Sequence, residues 1–322
     1  MQLRQLMYFV RIVETGSLSR AAQALHVAQP ALSQQIQRLE EELQVKLLVR
    51  SVRGVVPTDA GLAVYHQAQF ILKQVEATRL VAAQADSGPA GTVTIGLPWT
   101  VSSLLGLALL AEVREKFRAV RLEIVEGPSS SLATLLSQGK IEIAVLFDTV
   151  AASGLVMRPV LSEPLFLVGP PGSLAGLRGA GFPDMAQRPL LLMSRPNGIR
   201  ELVERGCSEA GLRPDIAAEI NAPDLLLRAV KAGLGFSVLP ACGLEEPVSR
   251  GELDAVELEN GMLRRRVFLG TSRLFSLSPA AEKVYGILLG LMQSAAKGKT
   301  WNATLLPDAA DAPSGNAAAR SG

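Results

Sequence analysis

Gln29-Pro30-Ala31-Leu32-Ser33-Gln34-Gln35-Ile36-Gln37-Arg38-Leu39-Glu40-Glu41-Glu42-Leu43 is the stretch on which the reading of this chain turns. Leu32, Ile36, Leu39 and Leu43 recur at spacings of four, three and four, which makes one buried face of a helix. Gln29, Ser33 and Gln37 form an opposite stripe, with Gln34 and Arg38 beside it. That outer face is rich in amides and a hydroxyl, and it carries no acid before Glu40. Pro30 falls at the helix start, where a fixed φ suits the backbone and a missing N–H is no loss.

Working outward, the flanks are helical on one side and extended on the other. Leu3, Leu6, Met7, Val10 and Val13 mark an earlier helix, stopped by Thr15-Gly16-Ser17, with Ser17 placed to cap the next. Leu18, Ala21, Ala22 and Leu25 face inward on a short second helix, and His26-Val27-Ala28 makes the turn. Beyond position 43, Lys46 to Arg50 and Gly54 to Val56 read as two short strands around a turn, basic at Lys46, Arg50 and Arg53. Helix, turn, helix and wing is an arrangement that sets short polar side chains against base edges in a major groove. Gln29, Ser33, Gln34, Gln37 and Arg38 supply such groups, and Arg50 and Arg53 suit phosphates or a minor groove. A solvated face on an ordinary three-helix bundle fits the same periodicity.

From about 58 to 85 the pattern is helical again, capped by Thr58, with Gly61 tolerated in the first turn. Val64, Ala68, Ile71 and Val75 form a heptad-like seam, which faces either the chain's own head or a second copy. Ser87-Gly88-Pro89-Ala90-Gly91 is the domain boundary. After it, strands over 92–96, 121–125 and 141–147 alternate with helices over 101–117 and 129–138. This order implies a parallel sheet covered on both faces. The theme recurs. Strands are expected over 165–169, 190–193, 216–220, 235–239 and 266–270, and helices over 199–210, 224–232 and 278–292. Two α/β lobes joined by crossover strands explain it. Residues 297–322, rich in Ala, Gly, Asn, Ser and Pro, read as a mostly disordered tail. The expected division is a head at 1–58, a linker helix at 59–87, a regulatory domain at 88–295 and a tail at 296–322.

Composition bounds the function. The 322 residues are 48% hydrophobic and 19% charged, enough to bury a core, and the net charge of +2 requires any basic surface to be local. Two cysteines, Cys207 and Cys242, and two histidines, His26 and His66, rule out a disulfide framework or an ordinary structural zinc site. The expectation is a soluble cytoplasmic protein, because the start lacks a signal-peptide pattern and no apolar run approaches the roughly 20 residues of a membrane span. No nucleophile elbow, Walker loop, metalloprotease motif or complete dinucleotide fingerprint is present, so no enzyme and no cofactor is expected. A stand-alone small-molecule receptor remains the competing class.

Leu6, Phe9, Gly16-Ser17, Ala21-Ala22, Leu25, Gln29-Pro30-Ala31-Leu32-Ser33, Ile36, Leu39-Glu40, Leu43, Leu47, Arg50, Pro57-Thr58 and Ala60-Gly61 together resemble the head of the LysR-type transcriptional regulators. With the α/β remainder, the resemblance covers roughly residues 1–295. Within the family, Tyr8-Phe9-Val10, Arg53-Gly54-Val55 and Leu165-Phe166-Leu167-Val168-Gly169 are similar to regulators of nitrogen assimilation, a pattern shared in part by regulators of catabolic operons. The implied architecture is α/β overall. A winged helix-turn-helix and a long linker helix precede a two-lobed, periplasmic-binding-protein-like domain.

The resemblance implies Gln29, Pro30, Ser33, Gln34 and Arg38 in the groove, beside the Gln37 that the face chemistry offers, Arg50 and Arg53 in the wing, and Val64, Ala68, Ile71 and Val75 in a dimer contact. The implied partners are promoter DNA, a second copy in a dimer or tetramer, a small effector and RNA polymerase, with no membrane. Effectors of such domains lie between the lobes at helix N-termini, where N–H groups attract anions. The candidates are Thr100, Ser102, Ser103, Ser129, Ser130, Arg195, Asn197 and Asn221, with Trp99 at the mouth; several of these also read as plain caps. Two positions depart from the family pattern. Gln44 stands where a glycine often turns the chain into the wing, and Leu48 replaces an aromatic. Cys207 and Cys242 read as buried, inert thiols, with a peroxide-sensing pair as the alternative.

Overall fold

The computed structural model describes residues 1–51, 54–83, 88–147, 154–259 and 263–307. Helix α1 (Leu3–Thr15) ends where Gly16 turns left-handed at φ 61°, and the Ser17 side chain accepts from the Arg20 amide to cap α2 (Leu18–Ala24). His26, at φ 54°, leads into α3 (Gln29–Leu43), with Pro30 in its first turn. Phe9, Ile12, Ala21, Leu32, Ile36, Leu39 and Leu47 bury one another; the inward faces read on α2 and α3 are observed, but on α1 Leu3 and Met7 are exposed, and Phe9 and Ile12 take the core side. Helix α3 closes on Gln44 in the left-handed region at φ 56°, a conformation that strains any residue with a Cβ.

Strands β1 (Leu48–Ser51) and β2 (Gly54–Pro57) pair antiparallel as the wing. The Val55 amide donates to the Gly16 carbonyl at 3.0 Å, fastening the wing to the turn between α1 and α2. Helix α4 (Asp59–Ala83) starts at Thr58, whose hydroxyl oxygen accepts from the Gly61 amide at 2.9 Å. Gly61 is required rather than tolerated, because a Cβ there would sit 1.9 Å from the Leu47 carbonyl oxygen.

The seam on α4 is corrected at Ala68. Ala68, 1% exposed, lies under Leu6 and Val10 of α1, with Ile71 partly buried beside it. Val64 packs on the head core. Ala68 is therefore covered by its own chain, whereas Val64, Ile71 and Val75 are half-buried.

The α/β part comprises β3 (Gly91–Leu97), α5 (Trp99–Lys116), β4 (Val120–Glu126), α6 (Ser129–Ser137), β5 (Ile143–Phe147), β6 (Leu155–Gly169), α7 (Phe182–Ala186), β7 (Pro189–Leu192), α8 (Gly198–Glu209), β8 (Asp215–Glu219), α9 (Pro223–Lys231), β9 (Ser237–Pro240), α10 (Glu245–Ser249), β10 (Asp254–Glu257), β11 (Arg264–Ser272), α11 (Pro279–Lys297) and β12 (Thr304–Leu305). In the first lobe β3 runs parallel to β4 and β5, and β11 runs antiparallel to β5 and β6. Alternation splits β5 between two cores. Ile143 and Val145 join the cluster that holds residues of α5 and α11, while Ala144 and Leu146 join that of α6.

Strand β6, 15 residues long, pairs with β11 in one lobe and with β9 and β10 in the other, so it ties the lobes together. Its first ten residues escaped the sequence reading because Pro159 and Pro164 interrupt it. A bulge at Val160 accommodates Pro159, and Pro164 pairs with the first residue of β11.

The tail also differs from expectation. Trp301 is 1% exposed, β12 pairs with β6, and the Leu306 amide donates to the Val160 carbonyl at 2.9 Å. A single large indole with a mate inside the lobe outweighs the polar composition around it. Residues 308–322 of the expected tail lie outside the described residues.

Candidate DNA interface and effector cleft

Gln29, Pro30, Gln34, Gln37 and Arg38 are exposed and Ser33 is half-buried, all on the side of α3 away from Leu32, Ile36 and Leu39. The Gln37 amide nitrogen donates to Glu41 at 2.9 Å, so one arm of the stripe lies along the helix. Glu40 leaves the outer face altogether. Only 9% exposed, it turns inward, and its Oε1 accepts from the amides of Leu47 at 2.9 Å and Leu48 at 3.2 Å. Its Oε2 accepts from the exposed Lys46 Nζ at 2.7 Å. Burial alone would push the Glu40 carboxyl up, but the Lys46 and amide hydrogen bonds outweigh it and hold the group below the usual carboxylate range. Arg50 has only its backbone described, opposite Val55, and Arg53 lies outside the described residues.

Between the lobes lies a cavity of about 290 Å³. Thr100, Ser129, Ser130, Asn197 and Asn221 line it, as does Trp99. Ser102 and Ser103 do not, since α5 begins at Trp99 and they sit a turn further along it. Arg195 does not either; its guanidinium pairs with Glu204. Asn197 is a cap, accepting from the Arg200 amide at 3.1 Å, and Asn221 accepts from the Ser194 amide at 2.9 Å. The serines are not side-chain caps. Helices α5 and α6 start after Pro98 and Pro128, which offer no cap, so their first N–H groups are left to solvent or a ligand. Ser129 Oγ is shielded and has no partner among the described residues.

Arg265 also lines this cavity, and the sequence reading missed it. Its Nη2 donates to Thr100 Oγ1 at 3.2 Å, its Nε pairs with Glu163, and its guanidinium lies 3.7 Å over the Phe147 ring. The signal was Arg264-Arg265-Arg266 in a strand. Successive side chains there must alternate, so the middle arginine points opposite its neighbours; here it is the buried one.

Cys207 is buried in the second lobe, and Cys242 Sγ donates to the Thr100 carbonyl at 3.0 Å. Burial pushes both thiols up, with Glu163 adding to the rise at Cys242, which reaches about 12. Peroxide chemistry runs on the thiolate, so this environment favours the inert reading. No helix among the described residues is long and apolar enough to cross a membrane, and no group of residues there is set to hold a metal ion.

A winged helix-turn-helix with an exposed polar face, joined to a two-lobed domain with a lined cleft, defines a DNA-binding regulator with an effector-binding domain. Comparison with known proteins agrees. Residues 3–62 match the bacterial regulatory helix-turn-helix model of the lysR family, and residues 86–293 match the LysR substrate binding domain. The chain belongs to the LysR family of transcriptional regulators. It is 35% identical over 296 residues to the nitrogen assimilation regulatory protein nac of Klebsiella aerogenes, covering 91% of this chain and 95% of that protein. A full-length OxyR variant from Pseudomonas aeruginosa superposes with a TM-score of 0.70 at 23% identity, covering 91% of this chain and 95% of that one. Full-length CbnR complexed with its target DNA superposes with a TM-score of 0.61 at 22% identity, covering 91% and 100%.

Proposed function

We propose that this regulator reads a half-site in duplex DNA with Gln29, Ser33, Gln34 and Arg38 of α3, with Gln37 at the edge of the contact. Pro30 sets the helix start, and Arg50 and Arg53 of the wing take up backbone phosphates. The carrying observation is the exposed polar stripe directly opposite a fully buried apolar one on α3. The working division is a head at 1–58, a linker helix at 59–87 and a regulatory domain from 88 that extends through the packed segment ending at 307. A second copy supplies the other half-site, as twofold operators require. Kinship with nac supports control of nitrogen-assimilation genes from the cytoplasm.

The cavity is the effector site, and its role is regulatory rather than catalytic. Both histidines lie outside the α/β lobes, which leaves the cleft without the usual general base of acyl-transfer chemistry. Its uncapped helix starts, the unpartnered Ser129 hydroxyl and largely apolar walls suit a small molecule with an apolar body and an acceptor group.

Fluorescence anisotropy with the promoter duplex upstream of the chain's own gene, against a shuffled duplex over a salt series, tests the DNA reading. Gln29→Ala should flatten the base preference by about 1–3 kcal/mol at the contacted position. Unchanged preference in that variant removes α3 from the groove.

A further inference from the structure

The cleft arginine does not stand alone. Glu163 is 1% exposed and Arg265 6%. Burying two opposite charges is unfavourable unless their remaining lone pairs and N–H groups are also satisfied. Here both oxygens of Glu163 are satisfied, by residues far apart in the chain. Glu163 Oε1 takes Arg265 Nε, and Oε2 accepts from the Trp301 indole N–H at 2.7 Å. Arg265 keeps its Nη2 on Thr100, at the cavity wall. Trp301 lies beyond the matched family domain, which ends at residue 293.

An arginine beside a carboxylate tends to close fork to fork, two N–H groups on two oxygens. Trp301 takes up a lone pair of the second oxygen and so competes with that closure. The indole has one polar atom and it can only donate, so its placement on Glu163 is specific.

We propose that Trp301 is a positioning residue for the effector cleft: by holding Oε2 of Glu163 it keeps the Nη2 arm of Arg265 at Thr100, where a carboxylate-bearing ligand with an apolar body is met. This deepens, and rests on, the reading of the cavity as the effector site. Glu126 and Glu201 also line the cavity, but Glu126 is exposed and Glu201 half-buried, whereas Arg265 is buried, its charge offset by Glu163, and it keeps an N–H arm at the cavity wall. The α5 and α6 N-termini and Ser129 Oγ add donors for an anionic group.

Cys242, bonded to the Thr100 carbonyl, reports on this junction without any ligand. The experiment follows its modification by a dithiodipyridine reagent in the full-length chain, with Cys242→Ser giving the background from Cys207. Trp301→Phe keeps most of the ring and loses the donor. It should speed Cys242 modification about ten-fold, the scale of one hydrogen bond to a charged group. In a Glu163→Gln background it should add nothing, because the carboxylate it acts on is gone. A wild-type rate in Trp301→Phe, or independent additive effects of the two changes, overturns the positioning role and leaves Trp301 as filling alone.

Sodium benzoate is the ligand probe and benzamide its neutral twin. Benzoate should slow Cys242 modification in the wild type, at concentrations that rise about ten-fold in Trp301→Phe, while benzamide should not. Equal protection by benzamide retains the cleft and overturns the carboxylate assignment. Protection by neither, with Trp301→Phe still accelerating, overturns the ligand class and supports the positioning role.

Discussion

Glu40→Ala separates the wing from the rest of the molecule. The change removes a buried carboxylate that accepts from two amides, Leu47 and Leu48, and from Lys46. An orphaned buried amide costs about 1–3 kcal/mol, so two, with some water entry at the wing edge, come to about 3 kcal/mol. Lys46 is exposed, and its ion pair adds less than about 1 kcal/mol. The assay is urea unfolding of the full-length chain by two signals. Both tryptophans, Trp99 and Trp301, lie in the α/β part, so their fluorescence follows that part, while far-ultraviolet circular dichroism includes the head. A denaturant slope of about 2 kcal/mol per molar converts the loss into a head transition earlier by about 1–2 M. The fluorescence transition should stay in place. Because Glu40 titrates below its unfolded value of 4.5, its contribution is complete above that pH and fades as pH falls through the lower folded value. The gap between wild type and Glu40→Ala should therefore narrow below about pH 4.5. Coincident dichroism curves at pH 7, or an equal shift in fluorescence, would refute the claim that this carboxylate fastens the wing.

Two further substitutions test the same junction. Gly61→Ala places a Cβ 1.9 Å from the Leu47 carbonyl, a backbone atom that cannot step aside, and should destabilise the head by about 1–3 kcal/mol or more in the dichroism transition; an unmoved transition denies the close approach of α4 and the wing. Gln44→Gly relieves the left-handed strain at φ 56° and, after allowing for the freer unfolded chain, should stabilise the head by about 0.5–1 kcal/mol; a loss of stability there would show that the Gln44 side chain contributes more than its backbone strain.

The head was legible because its information is local. Leu32, Ile36 and Leu39 repeat within one helix, Ser17 sits at the one place a cap is needed, and the outer stripe is simply what remains when the core face is subtracted. Glu40 shows where that logic stops. Subtraction assigns any charge to the outside, yet a carboxylate at a helix end turns inward when two otherwise unpaired backbone amides wait there. Ala68 shows the same limit from the other side, since a seam on α4 looks identical whether α1 of the same chain or a second copy covers it.

In the α/β part, element order followed from alternation and periodicity, but the cleft wall was only partly readable. Serines and asparagines near helix starts are visible to any reading that looks for caps, and five of the eight candidates do line the cavity. Arg265, Glu163 and Trp301 were not visible, for a definite reason. Each is anomalous alone: the middle of three consecutive arginines, an acid in a mostly apolar strand, an indole in a polar tail. Their meaning lies in pairings across 102 and 138 residues, which no periodicity encodes. Anomalies of this kind are a usable signal when counted together. With Glu163 set between Arg265 and Trp301, both carboxylate oxygens are satisfied and neither charge is left unpaired in the interior.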